Sequence, residues 1–131
     1  MSQGRIAFQG ELGANSHEAC AAYFPDYEPV PHPTFDEAFE AIKTGDCQLG
    51  MIPVENSIAG RVADVHHLLP SSSLKIIGEK FKPIRFQLMV NPGVKLEEVT
   101  TVQSMAIAIS QCRRTVKRLG LKAETLSLIH I

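Results

Sequence analysis

The chain has 131 residues, 44% hydrophobic and 21% charged, a globular balance that excludes a disordered or low-complexity chain. With 13 Lys and Arg against 14 Asp and Glu the net charge is −1, which removes the basic field of a nucleic-acid binder. No apolar run approaches the ~20 residues that span a bilayer, and the short apolar stretch ended by Gln9 is no secretory signal, so the reading is cytoplasmic with neither membrane nor nucleic acid as partner.

Arg5-Ile6-Ala7-Phe8-Gln9 reads as a strand broken by Gly10-Glu11-Leu12-Gly13. Asn15 and Glu18 have capping-box spacing, with Ala19, Ala22 and Tyr23 on one helical face behind them. Pro25, Pro29, Pro31 and Pro33 make the next stretch extended or looped. Thr34 and Glu37 form a second capping box. Phe35, Ala38, Phe39 and Ile42 recur at helical spacing, and Gly45 stands at the C-terminal cap. Leu49 to Val54 is a short apolar run, consistent with a buried strand, and it ends in the polar triplet Glu55-Asn56-Ser57. A helix is expected after Gly60, with Val62, Val65, Leu68 and Leu69 inward.

From Leu74 the period becomes two. Leu74 to Ile77 starts one strand, and Ile84, Phe86, Leu88 and Val90 alternate with Arg85, Gln87 and Met89 in another. Asn91-Pro92-Gly93 is a turn, and Val99 to Val102 is β-prone. The longest helix follows: Met105, Ala108, Ile109, Cys112, Val116 and Leu119 form its apolar stripe, Ser104 its N-cap, and Gly120 lies past its end. Leu121 to Leu126 starts a last strand. Alternating strands and helices give an α/β architecture. The change of period places a lobe boundary in residues 70–82, with a first lobe over 1–77 and a second over 78–125.

In open α/β sheets ligands bind beyond the carboxyl ends of strands, where helix N-termini present unpaired N–H groups to anions. Gly10 to Ser16, Glu55 to Gly60, and Ser104 occupy such places, which favours a small anionic ligand. Other chemistries fail on spacing. Gly10 to Asn15 is not a dinucleotide fingerprint. His17-Glu18 has Ala21 where a zinc-protease helix needs its second His, and adjacent His66-His67 diverge by ~100° on a helix, so no metal is expected. Cys20, Cys47 and Cys112 are odd in number and lack a Cys-x-x-Cys, so they read as three reduced thiols. Arg113, Arg114, Lys117 and Arg118 complement the C-terminal end of the helix dipole.

Ile52-Pro53-Val54-Glu55-Asn56-Ser57-x-x-Gly60-x-Val62 resembles the prephenate dehydratase family. Further likenesses follow in family order: Ile6 to Ser16 is similar to its glycine-rich opening, and Ile77-Gly78-Glu79 with Pro83 to Met89 to the start of its second lobe. Ser104 through Gln111-Cys112 stands where the family has Ser-His-Pro-Gln…Gln-Cys, although Met105-Ala106-Ile107 replaces His-Pro-Gln here. The resemblance covers residues 4–124.

It implies two α/β lobes similar to type-II periplasmic binding proteins, the second lobe incomplete, and conversion of prephenate to phenylpyruvate, water and carbon dioxide in phenylalanine biosynthesis. No cofactor is implied. Carried over position by position, Asn56, Ser104 and Gln111 are the catalytic candidates. Glu55 and Ser57 shape the pocket, and Gly13, Ala14, Asn15 and Ser16 help to bind carboxylate. The family's proton donor, the threonine of a Thr-Arg-Phe motif, has no counterpart in these 131 residues, so this polypeptide alone is expected to have little activity. A homodimer or homotetramer is implied for the full-length form, with phenylalanine as regulator where a regulatory domain follows. Leu126 to Ile131 matches the translation of a sequencing adapter, and these six residues are expected not to be native. The alternative reading is a non-catalytic two-lobed module that binds or senses a small anion.

Overall fold

The computed structural model describes residues 3–126. The tail expectation therefore falls, apart from Leu126, outside the described residues. The chain divides into two compact units: Met1–Asn56 with Gly60–Pro83, and Ser57–Ala59 with Ile84–Ile131.

The first unit is built around the strand β1 (Gly4–Gln9). Helix α1 (Asn15–Tyr23) leads to β2 (Tyr27–His32), and helix α2 (Phe35–Lys43) leads to β3 (Leu49–Gly50). The strands form a parallel sheet in the order β2-β1-β3, with Ile6 opposite both Pro29 and Leu49. The path steps from β1 to β2 and then back past β1. Right-handed crossovers in opposite directions put their helices on opposite faces of the sheet. The core agrees. Ile6 and Phe8 pack with Cys20 of α1, while Ala7, between them, packs with Ala38 and Ala41 of α2 and with Cys47. A strand covered on both faces reads as a continuous apolar run, which is why Ile6-Ala7-Phe8 does not alternate.

The proline-rich stretch proves to be an edge strand. Pro29 and Pro31 share one parity, so both positions without N–H face away from β1 while Glu28, Val30 and His32 keep theirs for the ladder. Helix α2 starts as expected: the Glu37 N–H donates to Thr34 Oγ1 at 3.2 Å, and Gly45 follows the last turn at φ +80. Helix α1 differs. Its N-cap is Ala14, which has no side chain to cap with, and Glu18 pairs with Lys82 Nζ at 2.8 Å instead.

The apolar run 49–54 does not continue as one strand. After Gly50 the chain leaves the sheet, Pro53 having no N–H to donate, and forms a short antiparallel hairpin of β4 (Glu55–Asn56) and β5 (Gly60–Arg61). Helix α3 (Ala63–Leu68) then buries Val65, with Leu68 and Leu69 half-buried. A 3₁₀ turn, Leu69–Ser71, ends this stretch.

In the second unit β6 (Thr101–Ser104) pairs in parallel with β7 (Lys122–Thr125) across helix α4 (Ala106–Arg118). The stripe expected on α4 holds for Ala108, Ile109, Cys112 and Val116. It fails at Met105 and Leu119, which are cap residues lying outside the helix proper and are exposed. Leu121 N–H bonds to Val116 O and Gly120 N–H to Lys117 O, a Schellman closure with Gly120 at φ +67. The strands expected at 74–77 and 84–90 are absent. Neither segment has regular structure or a ladder partner among the described residues, and Ile77 and Met89 are 76% and 85% exposed. Alternation describes one face of a chain, but a strand also needs a neighbour to take its hydrogen bonds.

Candidate active site

Two of the expected polar segments start from one end of the first unit's sheet. Strands β1 and β3 are adjacent and parallel, so Gly10 to Ser16 and the chain that reaches Glu55-Asn56 both depart from the carboxyl edge. That edge is where ligands bind in open α/β sheets.

The first segment is a tight loop. Gly10 N–H donates to His32 O at 2.9 Å, Ala14 N–H to Glu11 O at 3.1 Å, and Gly13 N–H to His17 Nδ1 at 2.9 Å. Gly13 adopts φ +90, in the left-handed region that side chains disfavour. Asn15 and Ser16 open α1, and Ser16 is half-buried. With no side-chain cap on α1, first-turn N–H groups without helical acceptors can address a carboxylate.

The second segment holds Asn56 half-buried at the end of β4, opposite Gly60, whose φ of +83 closes the hairpin. Glu55 and Ser57 flank it and are both exposed. The hairpin is anchored behind the site: Val62 N–H donates to Val54 O at 2.9 Å, and the His66 ring, through Nε2, to the same carbonyl at 3.2 Å. The helix expected after Gly60 begins at Ala63, past the hairpin.

The remaining two candidates belong to the second unit. Ser104 is not the N-cap of α4. It is the last residue of β6, paired with Thr125, and its carbonyl accepts the Leu126 N–H at 2.8 Å. Met105, with β-region φ and ψ, is the N-cap. Ser104 thus lies at a strand's carboxyl end, half-buried. Gln111 is half-buried in the second turn of α4, three residues after the buried Ala108.

A depression of about 330 Å³ beside α2 is bordered by Asp36, Glu37 and Glu40 together with Lys43, and no candidate residue lines it. Burial pushes the Cys20 thiol up to about 11 and also raises Cys47, so neither is a ready nucleophile. Among the described residues no three His, Cys, Asp or Glu side chains converge to hold a metal ion, and no helix is long and apolar enough to cross a membrane. Sequence reasoning passed over His17. Its signal was the four-residue spacing from Gly13, which places a ring nitrogen over a loop amide.

The family model of prephenate dehydratase matches residues 6–127. A bifunctional N-acyl-homoserine lactone acylase/prephenate dehydratase of Komagataeibacter europaeus is 39% identical over 116 residues, 88% of this chain and 41% of that protein. The chloroplastic arogenate dehydratase/prephenate dehydratase 2 of Arabidopsis thaliana is 37% identical over 123 residues, 94% of this chain and 32% of that protein. The prephenate dehydratase of Arthrobacter aurescens, solved in complex with L-Phe, superposes with a TM-score of 0.79 at 26% identity, covering 94% of this chain and 42% of that one. The chain spans less than half the length of the curated relatives it matches. Its α/β fold is that of the two-lobed, periplasmic-binding-like prephenate dehydratases, lyases of aromatic amino-acid biosynthesis, and the chain belongs to the prephenate dehydratase family.

Proposed function

We propose that this chain supplies the substrate-gripping part of a decarboxylating dehydratase that acts on prephenate. The supporting observation is that the Gly10–Ser16 loop and the Glu55-Asn56 segment depart from the carboxyl ends of adjacent parallel strands. Prephenate carries two carboxylates and a ring hydroxyl. Loss of one carboxylate as carbon dioxide, with departure of the hydroxyl as water, leaves an aromatic ring, so the driving force belongs to the substrate. The protein must hold a dianion in one orientation and deliver a proton to the leaving oxygen.

In this reading the uncapped first turn of α1 takes one carboxylate, with Gly13 to Ser16 shaping its seat. Asn56 donates its amide to substrate oxygen, and Glu55 and Ser57 border the pocket. Ser104 and Gln111, which belong to the second unit, are the other catalytic candidates that the family resemblance implies. No Thr-Arg-Phe occurs in the 131 residues, so the general acid of the family is lacking. Absence of a general acid typically lowers rate by ~10²–10⁴. The polypeptide alone therefore binds prephenate but turns it over slowly; the reading extends to a homodimer or homotetramer for a full-length form, with phenylalanine as regulator where a regulatory domain follows.

The test is a calorimetric titration with prephenate, beside Asn56→Ala, together with an assay of phenylpyruvate. Binding that weakens about tenfold in Asn56→Ala, the loss of ~1.4 kcal/mol of hydrogen bonding, supports the reading. No heat from the unsubstituted chain overturns the substrate assignment, and near-normal turnover overturns the claim of slow catalysis. The bifunctional relative favours a second reading, acylase activity on N-acyl-homoserine lactones, which a parallel assay for released fatty acid decides.

A further inference from the structure

We propose that His17 is a positioning residue, whose imidazole Nδ1 accepts the Gly13 N–H and so fixes the Gly10–Ser16 loop in the shape that receives a substrate carboxylate. The ligand in this inference rests on the prephenate reading above. The contact itself rests on geometry.

Gly13 N–H lies 2.9 Å from His17 Nδ1. Only a ring nitrogen without a proton accepts, so this contact requires the tautomer that carries its proton on Nε2. Packing does not hold Gly13 in its left-handed conformation, since a Cβ built there would meet nothing within 4 Å. The closures left to the loop are hydrogen bonds: Gly10 to His32, Ala14 to Glu11, and Gly13 to His17. Of these acceptors His17 is the one supplied by a side chain, and it belongs to the helix whose first turn faces the proposed ligand. The imidazole is itself held. It lies against Phe8, with ring centroids 5.7 Å apart at 30°, and Phe8 is fully buried in β1. His17 thus ties the loop amide to the sheet core.

The test compares the 131-residue chain with His17→Phe and His17→Asn. Phenylalanine keeps an aromatic ring against Phe8 and loses the acceptor. Asparagine loses the ring but places Oδ1 two bonds from Cβ, where histidine places Nδ1. Nuclear magnetic resonance reads the imidazole nitrogens, the exchange rate of the Gly13 amide, and the response of residues 13–16 to added prephenate. The expected result is an Nε2–H tautomer in the unsubstituted chain. Gly13 exchange should be about tenfold faster, and prephenate binding about tenfold weaker, in His17→Phe, with both restored to within about threefold in His17→Asn.

A proton on Nδ1 overturns the proposal, as does His17→Phe matching the unsubstituted chain. Equal weakening in both variants also overturns it, because that is the mark of lost packing. No response of the unsubstituted chain to prephenate overturns the substrate reading and the role with it. That outcome differs from failure of the inference alone, in which the unsubstituted chain responds and His17→Phe responds equally. Should His17→Phe fail to fold, the tautomer and the His17→Asn titration still decide.

Discussion

The Met51 N–H donates to the Ala7 carbonyl at 2.8 Å, one step beyond Gly50, the last residue of β3. This bond holds the chain to β1 as it turns toward Glu55-Asn56. Ala7 therefore serves two ends: its carbonyl fixes the exit of β3, and its methyl group sets how closely α2 approaches the sheet. Gly50 has the same restraint on the same side, since a Cβ there would collide with Ile42 Cδ1.

Ala7→Leu should consequently be destabilising. The site is fully buried between Ala38, Ala41 and Cys47, with no room for three more carbons. Overpacking of this kind costs about 1–3 kcal/mol. Urea unfolding followed by circular dichroism should show the midpoint fall. An unchanged midpoint would contradict the packing of α2 on this face.

Gly120→Ala isolates a backbone term in the second unit. Gly120 has φ +67 with no atom within 4 Å of an added Cβ, so the cost is conformational rather than steric. A left-handed non-glycine residue costs roughly 1–2 kcal/mol. Amide exchange in the last turn of α4 should accelerate correspondingly, while exchange in α1 stays as it is.

The thiols should separate by burial. Cys20 and Cys47 are buried and their thiols are raised, Cys20 to about 11, chiefly by desolvation. Cys112 is half-buried. At pH 8 an alkylating reagent should modify Cys112 first, and the other two only on unfolding. Because the folded state holds the Cys20 proton longer than the unfolded chain, its contribution is complete below the ordinary value of 9.0 and is lost as pH rises toward about 11. Cys20→Ser should flatten that alkaline decline in melting temperature.

Glu18 should act at the other end of the pH scale. Its hydrogen bond to Lys82, and then the Lys82 charge, hold its carboxyl below the usual 4.5. The stabilisation is present above that value and is lost as pH falls through the lowered one. Glu18 is exposed and Lys82 half-buried, so the effect is small and screened by salt. A melting series in Glu18→Gln should lose its acid-side, salt-sensitive component and otherwise match the unsubstituted chain.

Local signals were legible wherever a few neighbouring residues decide the outcome. Thr34 caps α2 because its hydroxyl is three residues from the Glu37 amide, and Gly45 and Gly120 end helices because of their own backbone freedom. The candidate site was legible only as segments. Ser104 reads as a helix cap from its neighbours, yet pairing with β7 holds it in a strand. The 84–90 alternation is strand-like in composition, yet a ladder needs a partner that sequence spacing does not supply.

The order of residues by itself determined the α/β class, the start of α2, the glycine ends of α2 and α4, the strand through Ile6-Ala7-Phe8 and the family, through motifs whose chemistry is contained in about ten contiguous positions. The tertiary structure alone decided the strand order β2-β1-β3, which places Gly10 and Met51 at one sheet edge, and the contact of His17 with Gly13 and Phe8. The physical reason is that helix propensity, caps and turns are interactions over three or four residues. Strand pairing and the aim of a side chain are settled by surfaces that meet only once the chain has folded.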